Sequence, residues 1–198
     1  MAAKEKTGPY RRTTRTKARR MPMIEANPAC LRSLIVTDVD TSDVRDLATM
    51  CGLPAPTWTV MHPGPVVTGH IAYGLANPVC VTDAASRRPV NLLARIETGL
   101  CDILGGDIGY AGKIMKTPSH PLMGNTPSGG LGEGEECRSY QLKQLAAPLD
   151  KLGALPAPSS GAPRYYRDEY PSLAKGMGCS PASVNRYIKE TGSLRRKL

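Results

Sequence analysis

Residues 31–39 read LRSLIVTDV, an apolar and β-branched run that continues into Asp40. Runs of this length and composition are typical of a buried strand. Because side chains two residues apart on a strand project from the same face, Asp38 and Asp40 are expected to lie side by side. Two neighbouring carboxylates repel each other unless a cation lies between them. The pair is therefore either an ordinary acidic turn or a pair of metal ligands.

The segments that follow predict a mixed fold. Residues 57–62 and 69–79 have the alternation of further strands, and 44–52 predicts a short helix. Residues 90–104 have the helix period, and the apolar side chains that share one face are Val90, Leu93, Ile96, Leu100 and Leu104. Residues 122–136 are expected to be a loop, and 139–149 a weaker helix. Strands joined by a crossover helix indicate an α/β or α+β core, ending near residue 150.

Charge divides the chain into three parts. The net charge of the 198 residues is +9. Residues 1–20 carry eight Lys/Arg and one Glu, and residues 163–198 carry eight Lys/Arg and three acids, whereas the middle is slightly acidic. Basic ends suit a polyanion, most often nucleic acid, although a solubilising tail has the same composition. We expect residues 1–20 to be a disordered basic arm, with Arg11 and Arg12 contacting DNA.

Cysteine usage and hydropathy exclude several classes of protein. The six Cys are scattered without a C-x-x-C, and there are three His, so neither a zinc site nor a disulfide framework is expected. There is no apolar run of 18 residues and no apolar core of a secretory signal at the N-terminus. These features predict a reduced, cytoplasmic protein without a membrane span.

The C-terminal part has the spacing of a helix-turn-helix. Residues 151–163 are expected to be a Pro/Ala/Gly/Ser linker, followed by a DNA-binding segment at 164–198. Ser180 is a natural N-cap before Pro181, which would open the recognition helix. A two-helix hairpin that merely packs is the alternative. The residues expected to contact DNA are Ser180, Ser183, Asn185, Arg186, Lys189, Arg195 and Arg196.

Several segments, taken in order, indicate a family. MPMIEANPACLRSLIVTDVD (21–40), GHIAYGLANPV (69–79) and GDIGYAGKIMKTP (106–118) together resemble the plasmid replication initiators of the replicase family. These initiators carry an archaeo-eukaryotic-primase-like domain, and the resemblance covers about residues 21–149. It implies a primase-like core with an RRM-like sheet and crossover helices, at residues 21–150.

The resemblance also implies roles for individual residues. Asp38 and Asp40 would be the catalytic D-x-D that binds Mg²⁺ or Mn²⁺, and His70 would contact the triphosphate of an NTP substrate. Asp107 is a candidate third metal carboxylate. Lys113 would contact phosphate, and Lys116 would contact either phosphate or the template strand.

These implications give a functional expectation with two alternatives. The chain would bind double-stranded origin DNA, copy a single-stranded template into a short RNA primer, and pass that primer to a host DNA polymerase. The first alternative is a non-catalytic DNA-binding regulator of replication or transcription. The second, an RNA-binding module, is disfavoured because the chain has no Phe and few strand aromatics that could stack on bases.

Overall fold

The run at residues 31–39, which contains Asp38, is an edge strand of the larger of two sheets. The computed structural model of the chain describes residues 1–5, 8–41, 43–62, 68–110, 112–120, 124–126 and 138–158. The predicted helix-turn-helix at 164–198 lies outside these residues. The described elements are β1 (Ala2–Ala3), α1 (Arg15–Ala18), β2 (Met23–Glu25), β3 (Leu31–Val39), α2 (Leu47–Met50), β4 (Trp58–His62), β5 (Thr68–Cys80), α3 (Arg87–Ile103), β6 (Ile114–Lys116), β7 (Gly124–Thr126), β8 (Ser139–Tyr140) and α4 (Leu142–Lys151).

The larger sheet has the strand order β3-β5-β4-β7, and all of these pairings are antiparallel. The short β8 runs parallel to β5 beyond the end of β4. Strands predicted at 31–39, 57–62 and 69–79 are confirmed as β3, β4 and β5. The thirteen-residue β5 lies at the centre, where residues 69–72 pair with β3 on one side and with β4 on the other.

One face of the larger sheet is covered by helices. Residues Ile35, Ile71 and Tyr73 of this face belong to one apolar cluster with side chains of α3 and α4. On α3, the predicted face is confirmed: Leu93, Ile96, Leu100 and Leu104 are buried, and Val90 is half-buried. The helix begins at Arg87, three residues before the predicted start, and ends where Gly105 adopts a positive φ of 62°. The mixed α+β class is therefore confirmed.

The other face of the larger sheet is covered by a smaller one. A second apolar cluster joins Val36 and Ala72 of the larger sheet to Tyr110 and Met115. Met115 belongs to β6, which forms the three-stranded antiparallel sheet β1-β2-β6. Strand residues that point away from the helices therefore meet this small sheet, and Asp38 is among them because it lies two residues after Val36.

The N-terminal segment differs from the expected disordered arm. Ala2 and Ala3 are 4% and 3% exposed, and they pair with Ile24 and Met23 of β2. Their small apolar side chains fit under the sheet edge, whereas the basic side chains of residues 11–20 remain exposed. Charge density alone suggested an unfolded tail, but here the backbone pairs while the charges face solvent.

Three further boundaries differ from the predictions. Within the expected loop at 122–136, residues 124–126 form β7 on the edge of β4. The helix expected at 139–149 is α4, which starts at Leu142 because Ser139 and Tyr140 pair with β5. The start of the expected linker packs on the core, since Ala154 and Leu155 contact the cluster beneath α3. None of the helices in the described ranges is long and apolar enough to cross a bilayer.

Candidate functional site

Asp38 and His70 are direct cross-strand neighbours. In the antiparallel pairing of β3 with β5, Asp38 lies opposite His70, so both side chains project from the same face of the sheet. His70 Nε2 lies 3.2 Å from Asp38 Oδ1, and the exposed fractions of the two side chains are 1% and 7%. On the far side of His70, the register partner is the fully buried Val60 of β4. Asp38 and His70, both predicted to be site residues, are therefore in contact where little water has access.

The orientation of the His70 ring is set by the small sheet. The backbone N–H of Lys116 donates to His70 Nδ1 at 3.1 Å. In the pairing of β2 with β6, the neighbouring Thr117 N–H donates to Pro22, so the Lys116 N–H points to the opposite edge of β6. Because a backbone N–H can only donate, Nδ1 is the acceptor, and the proton of the neutral imidazole is on Nε2. The nitrogen that carries the proton, Nε2, is thereby the ring nitrogen near Asp38, at 3.2 Å from Oδ1.

Lys116 also brings positive charge to the carboxylate. Its Nζ lies 3.9 Å from Asp38 Oδ1, and its side chain is 13% exposed. A buried carboxylate is costly unless charged and hydrogen-bonding partners compensate for lost water. Here the imidazole N–H and the ammonium approach the same oxygen. The site can therefore hold the negative charge of Asp38.

Tyr110 closes the site against the sheet. Its ring centroid lies 5.2 Å from that of His70 with an interplanar angle of 38°. The Tyr110 hydroxyl donates to the carbonyl of Ile114, which fixes the ring over the strand that carries Lys116. The contact excludes water from one side of the imidazole and leaves its Nε2 edge directed at Asp38.

The loop after α3 runs along the backbone of Asp38. The N–H of Asp107 donates to the Asp38 carbonyl at 2.9 Å, and Gly106 packs so closely that an added Cβ would lie 2.4 Å from Thr37 Cγ2. The Asp107 side chain is exposed, and its Oδ1 accepts from the Gly109 N–H at 2.8 Å. The loop therefore supports Asp38 through its backbone, while the Asp107 carboxylate caps its own turn.

The carboxylates of Asp38 and Asp40 are oxygen ligands of the type that a hard divalent cation prefers. Asp40 is exposed directly after the end of β3, two residues from Asp38. Carboxylate oxygens two residues apart are ligands that Mg²⁺ and Mn²⁺ prefer. The described residues contain no group of three or more His, Cys, Asp or Glu that could hold a metal. An ion held by Asp38 and Asp40 would therefore take its other ligands from substrate and water.

Lys113, Arg11 and Arg12 were also predicted to contact phosphate or DNA. Lys113 is exposed, and its carbonyl accepts from the Ala26 N–H. Arg11 pairs through its backbone with Ala2, and both Arg11 and Arg12 are exposed on the small-sheet side. The roles predicted for these side chains, for Asp40 and for Asp107 stay predictions. The predicted DNA-contacting residues Ser180 to Arg196 lie outside the described part of the chain.

Two features of the site were missed by sequence reasoning. The first is the Lys116 backbone N–H, which orients His70 and leaves no trace in side-chain chemistry. The second is the ring contact between Tyr110 and His70. Both Tyr110 and Lys116 lie in the segment GDIGYAGKIMKTP (106–118), which drew attention to these side chains but carried no sign of the backbone contact.

Comparisons with known proteins identify a family and a solved structure to which the chain is similar. A model of the Replicase family matches residues 1–155. Among solved structures, the chain is similar to the AEP domain of the primase-polymerase (PrimPol) of cyanophage S-2L, with a TM-score of 0.43 and 16% identity. That similarity covers 64% of this chain and 62% of that domain, less than two thirds of its length. No curated protein matches. The family match includes Asp38, His70 and Lys116.

Proposed function

This chain belongs to the Replicase family, and we propose that it initiates plasmid or phage DNA replication by binding origin DNA and synthesising a short RNA primer. The observation that carries the proposal is the convergence of Asp38, His70 and Lys116. These residues are far apart in sequence, yet Asp38 Oδ1 lies within 4 Å of a nitrogen of each of the other two. Convergent polar side chains with little exposure are a feature of binding sites, and lysine and histidine are side chains that can bind a phosphate.

The proposed reaction joins two nucleotides on a template. The 3′-hydroxyl oxygen of one attacks the α-phosphorus of an incoming NTP, the bond to the β-phosphate oxygen breaks, and pyrophosphate leaves with the electron pair. The hydroxyl proton passes to solvent. A divalent ion held by Asp38 and Asp40 would supply the positive charge that such transfers need.

The chain's own residues would bind and position the triphosphate. His70 has its proton on Nε2, so it can donate to a phosphate oxygen without a change of tautomer. The Lys116 ammonium lies at the same oxygen of Asp38 and can neutralise a phosphate that enters there. Lys113 is exposed nearby in sequence, where it could meet the template or the terminal phosphate. Because His70 and Tyr110 are buried, water has little access to that side of the reacting groups.

The segment at 164–198 would provide origin recognition. Its Asn185 and Arg186 have the side chains that suit adenine and guanine edges, and Lys189, Arg195 and Arg196 would contact phosphates. The primer would then pass to a host DNA polymerase.

The second candidate is a non-catalytic DNA-binding regulator. One observation favours it: Asp38 is already next to His70 and Lys116, and a purely structural ion pair would have the same geometry. In that case, the substitution of Asp38 would lower stability without removing any activity.

The test of the catalytic proposal is template-dependent incorporation. The full chain is incubated with a single-stranded template, labelled NTPs and Mg²⁺ or Mn²⁺, and products are resolved by length. We expect short RNA products from the wild type and a loss on the order of 100-fold or more in Asp38→Asn and in Asp40→Asn, by analogy with the removal of one charge-stabilising group elsewhere.

Asp43→Asn is the matched control, because it makes the same change at an exposed carboxylate three residues beyond Asp40. It should leave incorporation unchanged. Equal inactivity of the wild type and Asp38→Asn under both metals, with both proteins folded, would rule out the catalytic proposal. Selection from a random duplex library tests the origin proposal separately, with Asn185→Ala/Arg186→Ala expected to lose the enriched sequence.

A further inference from the structure

A cavity lies at the outer edge of the small sheet, away from the helices. Strand β1 is the outermost strand, and Ala2 pairs with Ile24 on one side and, through two backbone hydrogen bonds of 3.1 and 3.0 Å, with Arg11 on the other. Described residues on both sides of this pairing line an open cavity of about 530 Å³. This volume is within the range of pockets that hold a small organic ligand.

The lining of this cavity combines an apolar part with cationic side chains. Ala2, Ala3 and Met21 contribute apolar surface, and Lys4, Arg11 and Arg12 contribute three positive charges against one from Glu5. All four charged residues are exposed, and none of them forms an ion pair within the described ranges. Three cations that form no ion pair with any carboxylate of the described residues favour an anionic ligand that also has an apolar part.

The cavity is close to the Asp38–His70 site because both use the same small sheet. Ala3 pairs with Met23, and Met23 pairs with Lys116, so the three lie in one row across β1, β2 and β6. Adjacent strands are about 4.8 Å apart, which separates Ala3 from Lys116 by about 10 Å. Exposed basic residues continue along this side, and the carbonyl of Arg19 accepts from the Ser119 hydroxyl, three residues after Lys116.

We propose that this cavity binds one nucleotide unit of single-stranded DNA, whose neighbouring units extend across the small sheet to the Asp38–His70 site. A concave pocket with an apolar part suits the sugar and base of an unpaired nucleotide, with its phosphate at Arg11 and Arg12. A duplex keeps its bases stacked inside and presents phosphates on convex ridges. The proposal rests on the proposed function only in assigning the bound strand as the template.

The experiment measures binding of the full chain to a labelled single-stranded oligonucleotide by fluorescence anisotropy as a function of salt. Each phosphate contact contributes about 0.7 to the slope of log K against log salt for single strands. Arg11→Gln/Arg12→Gln should therefore lower the slope by about 1.4. At ~0.1 M salt, the same estimate predicts an affinity about 25-fold weaker, with the difference vanishing near ~1 M.

Arg87→Gln/Arg88→Gln is the matched control. It removes the same charge from exposed residues at the start of α3, which packs on the opposite face of the larger sheet. If it weakens binding as much as Arg11→Gln/Arg12→Gln, the effect is one of net charge and the proposal is wrong. Lys4→Gln, at an exposed side chain outside the strand, provides a second test if the double variant does not fold, with an expected slope change of about 0.7.

Competition distinguishes the form of the ligand. Unlabelled single-stranded DNA should displace the probe, whereas an equal nucleotide concentration of NTP or of duplex should not; displacement by NTP alone would overturn the proposal. Asp38→Asn separates this inference from the proposed function, since it should abolish incorporation and keep the wild-type slope. A further outcome is that neither the wild type nor any variant incorporates NTP, while Arg11→Gln/Arg12→Gln still lowers the slope of log K against log salt. In that case the proposed function fails and the cavity assignment stands.

Discussion

His70 Nδ1 accepts a hydrogen bond from the backbone N–H of Lys116 at 3.1 Å, and this bond joins the two sheets at the candidate site. Lys116 is thus connected to the site twice, since its ammonium also lies 3.9 Å from Asp38 Oδ1. The backbone contact fixes which imidazole nitrogen carries the proton, and the side-chain contact supplies charge. The two contributions can be separated by substitution.

Replacement of His70 by Asn should uncouple stability from activity. The Asn Oδ1 can take the place of Nδ1 as the acceptor for Lys116, but the side chain has no group at the position of Nε2. We expect His70→Asn to lose incorporation and to keep most of its stability. His70→Ala leaves the partly buried N–H unpaired, so its free energy of unfolding should be lower than that of His70→Asn by about 1–3 kcal/mol. Urea unfolding measures the difference, and equal stability of the two variants would contradict the role given to Nδ1.

Replacement of Lys116 by Met removes the charge while keeping the apolar stem. Because His70 still faces Asp38, the cost should be smaller than for a buried carboxylate left alone, about 2 kcal/mol of unfolding free energy. Lys116→Arg should restore most of it. Lys113→Met is the comparison, since that side chain is exposed and its loss should cost no more than about 0.5 kcal/mol. A Lys116→Met protein as stable as the wild type would show that the ammonium does not stabilise Asp38.

Gly106 tests the support that the loop gives to Asp38. An added Cβ would lie 2.4 Å from Thr37 Cγ2 and 3.3 Å from the Asp38 carbonyl oxygen. We expect Gly106→Ala to lower the unfolding free energy by about 1–3 kcal/mol and to reduce incorporation by displacing the strand end. Gly105→Ala is the control, because its Cβ would meet nothing within 4 Å and its cost is backbone strain at positive φ. Thermal unfolding and incorporation should be measured together, and normal activity in Gly106→Ala would argue against this support.

Substitution of Asp107 tests whether this residue is a third metal-binding carboxylate. Its Oδ1 accepts from the Gly109 N–H, a bond that an Asn side chain can also make. We expect Asp107→Asn to keep both stability and incorporation within about threefold, a change of less than 1 kcal/mol. A much larger loss of incorporation, restored by a higher Mn²⁺ concentration, would instead identify Asp107 as a metal ligand.

Stability at high pH should depend on Tyr73. Burial raises the pKa of its hydroxyl, and the neighbouring Tyr140 raises it further; the hydroxyl donates to the carbonyl of Pro54 at 2.9 Å. An unfolded tyrosine titrates near pH ~10, so the folded protein keeps a proton that the unfolded chain releases above that pH. The contribution is fully present below pH ~10 and is lost as the pH rises further, at up to about 1.4 kcal/mol per pH unit. Tyr73→Phe should show a shallower decline in urea unfolding between pH ~10 and ~11, and identical slopes would contradict the assignment.

Much of the fold could be predicted because its signals are local. The run at 31–39 and the helix face of Leu93, Ile96 and Leu100 are periodic patterns that require no knowledge of the rest of the chain. The pairing of β7 with β4 and the strand at Ala2–Ala3 could not be read in this way. Both are short strands whose backbone hydrogen bonds depend on a partner far away in sequence, and neither has an apolar period of its own.

By itself, the sequence determined the types of side chain available for the proposed chemistry and, through the replicase-like order of its segments, indicated that Asp38 and His70 belong together. Only the tertiary structure decided how they meet. The register of β3 and β5 puts the two side by side, whereas a shift of one residue would put them on opposite faces. The edge of β6 that does not pair with β2 then fixes the imidazole through a backbone N–H, a group that every residue except proline carries and that no sequence pattern can single out.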